Sequence, residues 1–180
     1  MENGHLPRLD EGAYRGYAIV HWNFSIKDRQ TGWLDAEFHF HFREVLLHSL
    51  GRQGALCAGY CLMPDHAHLL LLGVDEKCDQ REAIRFLRKH TQSDLRRRNC
   101  EWQKQPYDNV LREKDRQRFS FEKIAGYIRE NPVRAGLVSN WVDWSYTGSM
   151  LPGYPEVNFR DADYWDAFWR IYYSKVEGAK

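Results

Sequence analysis

The 180-residue chain is predicted to be an α+β protein: a ferredoxin-like βαββαβ sandwich with an antiparallel sheet and an additional C-terminal helix. Three observations carry this. Apolar periodicity runs strand, helix, strand, strand, helix, strand along the chain. The second and third strand-like runs are separated by a Met-Pro-Asp turn too short for a crossover, so they must form an antiparallel hairpin. A further amphipathic stretch, ending at Asn131-Pro132 and carrying Tyr127, lies beyond that pattern.

Tyr17 to Phe24 is aromatic and β-branched and reads as the first strand. Leu34, Phe38, Phe42 and Val45 recur at helical spacing, which predicts a helix from Leu34 to Leu50. Ala55 to Leu62 and His66 to Leu72 are the hairpin strands, with Pro64 fixing φ in the turn. Asp79 followed by Glu82 has capping-box spacing and opens a helix reaching about Arg98, with an apolar stripe of Ile84, Leu87 and Leu95. Tyr107 to Leu111 is a fourth strand. Ser120 is placed to cap a last core helix that Pro132 must end. The core spans about residues 14–147. The aromatic-rich extension 148–180 is assigned to the same single domain, 1–180.

Composition narrows the classes. No apolar run is long enough for a transmembrane helix, and the opening Met-Glu-Asn-Gly-His has no basic-then-apolar leader. Cys57, Cys61, Cys78 and Cys100 lack Cys-x-x-Cys spacing and read as small buried residues in a reducing cytoplasm, so a cytoplasmic protein without a membrane partner is expected. Net charge is only +1, but it is unevenly spread: residues 81–134 hold 15 Lys and Arg against 8 Asp and Glu. Such a segment suits a phosphate-binding face, and equally an ordinary solvated helix. Within it, Arg85, Arg88, Lys89, Arg96, Arg97 and Arg98 are the candidate nucleic-acid phosphate contacts. Trp22, Trp102 and Tyr107 are candidates to stack unpaired bases.

His66-Ala67-His68 is the sharpest local signal. Residues two apart on a strand share a face, so both imidazoles can reach one divalent ion. Half-buried, hydrogen-bonded histidines are the competing reading. His39 and His41 have the same spacing but fall on a predicted helix, where residues two apart point nearly opposite ways. They are expected to be partly exposed and not to chelate together.

The last helix supplies the second constellation. Tyr127 and Asn131 are four apart and share a helical face beside the stripe of Phe121, Ile124, Ala125 and Ile128. The plain alternatives are a tyrosine anchoring the helix and an asparagine closing it before Pro132.

Taken together, these residues resemble the single-tyrosine HUH transposases, in particular the REP-associated tyrosine transposases. The resemblance rests on Met-Pro-Asp-His66-Ala-His68-Leu-Leu-Leu and on Tyr127-Ile-Arg-Glu-Asn131-Pro-Val-Arg-Ala-Gly-Leu-Val138. Weaker support comes from Tyr107-Asp-Asn-Val-Leu-Arg112 and from His21. The resemblance implies metal-assisted transesterification of single-stranded or hairpin DNA. In it, His66, His68 and Asn131 hold Mg²⁺ or Mn²⁺, and Tyr127 attacks the phosphorus to form a 5′-phosphotyrosine. It implies a transposase or endonuclease that rejoins strands without ATP, consistent with the lack of a Gly-rich phosphate loop. It leaves monomer and homodimer open.

Two further readings stand beside it. One is a domesticated hairpin-DNA-binding regulator without transposition activity. The other is a metal-dependent phosphoesterase with a water nucleophile. Enzymes built on paired His-x-Ser/Thr motifs are excluded, because no histidine here has Ser or Thr two residues on.

Overall fold

The computed structural model describes residues 9–111 and 117–178. The opening residues read for a leader, and Arg112 of the fourth-strand motif, lie outside the described residues. The elements are β1 (Ile19–Ser25), α1 (Ala36–Gln53), β2 (Ala55–Met63), β3 (His66–Gly73), α2 (Gln80–Arg97), β4 (Tyr107–Val110), α3 (Arg118–Arg129), α4 (Asn131–Arg134), β5 (Thr147–Met150) and α5 (Tyr164–Glu177). The strands form one antiparallel sheet in the order β4-β1-β3-β2-β5. The predicted βαββαβ core is therefore present, with β5 added at the β2 edge.

Local chemistry explains the boundaries. Asp35 caps α1 by accepting from the Phe38 amide at 2.7 Å, and Gly54 ends it in the left-handed region at φ 61°. A Cβ at Gly54 would stand 2.6 Å from the Asp75 Cβ, so the turn into β2 requires glycine twice over. Asp79 caps α2 through the Arg81 and Glu82 amides, as expected. The Glu82 carboxylate, however, pairs with Arg85 and does not reach back to close the box. Ser120 does not cap α3. Gln117 holds the N-cap position without a side-chain bond, and Ser120 sits inside the helix.

Helices cover both faces of the sheet. On one face Val20, Trp22, Phe24, Ala67, Leu69 and Leu71 meet α1 and α2, through Phe38, Phe42, Leu46, Ile84 and Leu87. On the other, Ile19, Met63, Leu70 and Leu72 meet Phe121, Ala125 and Ile128 of α3, with Tyr164, Phe168 and Trp169 of α5. The leucine run of β3 alternates between the two cores, which is why it reads as continuously apolar. Each such fully buried side chain contributes about 1.5–3 kcal/mol of transfer free energy. The 148–180 extension carries no readable motif, yet it completes the second core: Tyr164 donates to the Ala58 carbonyl of β2 at 2.6 Å. Among the described residues no helix is long and apolar enough to cross a membrane.

Candidate active site

The β2–β3 turn builds the first half of the site. Met63 pairs with His66, leaving Pro64 and Asp65 as the two loop residues. The turn is pinned from outside. The Ile26 amide donates to the Asp65 carbonyl at 2.9 Å, and the Trp33 indole donates to the Pro64 carbonyl at 2.6 Å. His66, His68, Leu70 and Leu72 then point to the α3 face, as alternation requires.

The two imidazoles converge. Their Nε2 atoms are 3.1 Å apart. His66 Nδ1 donates to Asp65 Oδ1 at 2.6 Å, and Arg29 holds the other carboxylate oxygen at 3.1 Å. His68 Nδ1 lies 3.0 Å from His21 Nε2 on β1. Burial, followed by the charges of His21, His66 and Arg29, pushes His68 down to about 3, and burial pushes His21 down to about 4. Both stay neutral at physiological pH, the form in which imidazole binds metal.

This donor set fits a divalent cation. Two donors at about 2.1 Å from one ion, at a right angle, are roughly 3.0 Å apart. A ligating histidine commonly has its other nitrogen held by a carboxylate or similar partner, as His66 does here. Among the described residues no three His, Cys, Asp or Glu side chains form a metal site. Further ligands to such an ion would be amide, phosphate or water oxygens.

The second group of candidates, Tyr127 and Asn131, is carried by α3 and α4. Both pack against β2 on the imidazole face. After α4 the chain returns to β2, where the Trp144 indole donates to the Leu62 carbonyl at 2.8 Å, one residue from Met63. Pro132 has no N–H for the Ile128 carbonyl, and α3 ends at Arg129. The Asn131 amide fills the gap, donating to the Tyr127 and Ile128 carbonyls at 3.0 and 3.1 Å. With its nitrogen so engaged, Oδ1 is the atom left to bind elsewhere. Tyr127 is 47% exposed, too open for a buried anchor. The Arg134 guanidinium lies 4.3 Å from its ring centroid. Sequence reading did not single out Arg134, which stands seven residues, about two helical turns, beyond the tyrosine and across a proline.

The other candidates divide. Tyr107 is exposed on β4 and shares the imidazole face through its pairing with Asn23. Trp22 and Trp102 cannot stack bases. Both are buried in the opposite core, their indoles donating to Gln80 and Thr91. Arg85, Arg88, Lys89, Arg96, Arg97 and Arg98 lie on or just after α2, in the layer across the sheet from the histidines. Arg85 and Arg88 line a groove with Arg81, Lys104 and Asp108 beside the β4 edge. Arg97 pairs with Asp94, and Arg98 is held by Asp35 and Glu37 with its side chain only 13% exposed.

A scan of protein-family models and a search of curated proteins find no match. Among solved structures, the chain is similar to a REP-associated tyrosine transposase bound to a REP hairpin, at a TM-score of 0.65 and 18% identity. The match covers 80% of this chain and 81% of that one. The chain shares that transposase's fold. That likeness is of the backbone fold, and it is a separate observation from the order of the motifs in the sequence.

Proposed function

We propose that the chain is a single-stranded DNA transposase-type enzyme, a nickase and strand transferase acting at hairpin-associated sites. The observation that carries the reading is the convergence of the His66 and His68 Nε2 atoms on the sheet face against which the Tyr127 helix packs. The solved neighbour of the same fold is a transposase with a hairpin bound, which supports hairpin DNA as the substrate.

His66, His68 and the Asn131 amide oxygen would hold the divalent cation, Mg²⁺ or Mn²⁺. When bound, it supplies Lewis-acid polarisation of the scissile phosphate. Tyr127 attacks phosphorus with its oxygen: a Tyr–O–P bond forms, the P–O3′ bond breaks, and the 3′ oxygen leaves, taking a proton from solvent to become a hydroxyl. The phenol proton passes to solvent. Arg134 puts positive charge against the ring whose oxygen must carry that developing negative charge. The phosphotyrosine retains the phosphodiester's energy, so attack by another 3′-hydroxyl reseals the strand without a nucleotide cofactor.

Single-stranded DNA on the imidazole face would meet Tyr107. A strand leaving over the β4 edge would reach the groove bordered by Arg81, Arg85, Arg88 and Lys104. Lys89 and Arg96 extend that positive charge along α2. The reading is tested by incubating wild type and His66→Ala with a hairpin oligonucleotide bearing a single-stranded flank, in Mn²⁺. Nicking by wild type and none by the variant is expected. Equal nicking by both would overturn the site. Hairpin binding without any nicking would assign the chain to the regulatory binding module.

A further inference from the structure

We propose that Asn23 of β1 is a further oxygen ligand of the cation site, approaching His66 and His68 from the sheet. The inference rests on the cation reading given above and extends it to a residue that neither the motifs nor the fold likeness singles out.

Two independent observations support it. The first is position. Asn23 is the direct cross-strand partner of His68. His21, two residues earlier on the same face, is paired with Leu70 yet makes its side-chain contact to His68. Contacts on this face thus run along a diagonal of the twisted sheet. A parallel diagonal from Asn23 runs toward His66, which would set its amide beside both imidazoles.

The second is an unmet acceptor. Asn23 Oδ1 is buried from solvent and accepts no hydrogen bond among the described residues. A buried amide oxygen without a donor is costly and rare, and it calls for a missing partner. Around it, the partners of the neighbouring groups are already assigned: His21 to His68, His68 and His66 to one another, and His66 to Asp65. A hard divalent cation prefers oxygen donors, and two imidazoles alone satisfy a third of an octahedron. With Asn131 Oδ1 from the helix side and Asn23 Oδ1 from the sheet side, four protein donors would leave two positions for phosphate and water. The amides are uncharged, so such a site stays weak for the free ion and gains from the negative phosphate of DNA.

The test is direct Mn²⁺ binding to the full chain, read from the loss of the free-ion electron paramagnetic resonance signal. Wild type, His66→Ala, Asn23→Leu and Asn23→Asp are compared, with circular dichroism and thermal melting to establish folding. Asn23→Leu is expected to weaken Mn²⁺ by about 10–100-fold, the range typical of disrupted metal surroundings. Asn23→Asp, adding a negative oxygen at the same place, is expected to tighten it. A folded Asn23→Leu protein that binds like wild type would overturn the assignment and leave an ordered water as the partner of Oδ1. If Asn23→Leu does not fold, Asn23→Asp decides alone: no gain in affinity overturns it. Mn²⁺ binding that is abolished in His66→Ala but insensitive to both Asn23 variants removes Asn23 and keeps the metal centre. No binding to wild type removes both.

Discussion

His66 and His68 face each other through Nε2 atoms 3.1 Å apart, and each is held from its opposite nitrogen by a different part of the chain. His39 and His41 repeat the spacing and diverge. His39 bonds the Tyr60 hydroxyl of β2 at 3.0 Å, and His41 turns to Asp94 of α2. The period of the backbone, not the spacing in sequence, decides which pair can share a ligand.

Asp65 should matter for metal affinity far more than its exposed ion pair with Arg29 suggests. That pair is worth little, since the Arg29 side chain is 61% exposed. The bond to His66 Nδ1 fixes the ring and its proton. Asp65→Ala is expected to weaken Mn²⁺ binding about 10–100-fold in calorimetric titration while the hairpin turn survives on its backbone hydrogen bonds. An unchanged affinity would show that His66 needs no carboxylate to orient it.

The arginines of α2 should separate into two groups. Arg85→Ala with Lys89→Ala is expected to weaken hairpin binding and to reduce the slope of log affinity against log salt by roughly 0.7–0.9 for each phosphate no longer neutralised. Arg98→Ala should chiefly lower thermal stability, because Arg98 ties α2 to Asp35 and Glu37 near the start of α1. A complete disappearance of salt dependence in Arg98→Ala alone would reverse this division.

Tyr107 is the aromatic expected to stack a base. Tyr107→Ala should cost about 1–3 kcal/mol of single-strand affinity in fluorescence anisotropy. Trp102→Phe should leave affinity unchanged and lower stability by about 1–2 kcal/mol, because the bond to Thr91 disappears and the ring is smaller. The opposite pattern would put the DNA on the α1–α2 side.

Acid should destabilise the fold partly through His39. Burial, with Arg43 and Arg160 nearby, pushes its folded-state value down to about 4, below the ordinary 6.5. Between those values the unfolded chain binds a proton that the folded chain does not, so stability falls as pH falls. From pH 7 to 5 the loss is at most about 2 kcal/mol, and less because His39 is only part-buried. His39→Gln, which can still bond Tyr60, should show a flatter decline in urea melts. An identical pH dependence would mean that His39 titrates normally in the folded protein.

Most of the frame was legible because its signals are local. His66-Ala-His68 precedes a leucine run, Asp79 caps α2, and Pro132 limits the tyrosine helix. What stayed hidden depends on distant partners. Arg98 looks like a free cation until Asp35, 63 residues away, is seen against it. Trp22 and Trp102 look available until their face of the sheet is known. Strand β5 is four residues, Thr-Gly-Ser-Met, with no strong β-former pattern; only its pairing to β2 makes it a strand. Helix α5 buries Tyr164, Phe168 and Ile171 at helical spacing, a stripe that was not read from the sequence. The surrounding aromatics blurred its polar face. Asn23 gives no sequence signal by itself and gains meaning only beside His68.

Tyr127 is the group on which the proposed chemistry turns, as its nucleophile. A denaturing gel decides it, run on wild type and Tyr127→Phe after incubation with hairpin DNA and Mn²⁺, the strand labelled at its 3′ end. Wild type is expected to carry label into a protein-linked band, because a 5′-phosphotyrosine retains the 3′ side of the cut. Tyr127→Phe keeps the ring beside Arg134, so it should fold and bind DNA normally yet form neither adduct nor nick. A Tyr127→Phe protein that cleaves like wild type, or a wild type that nicks without ever becoming labelled, would contradict attack by tyrosine and point to water as the nucleophile.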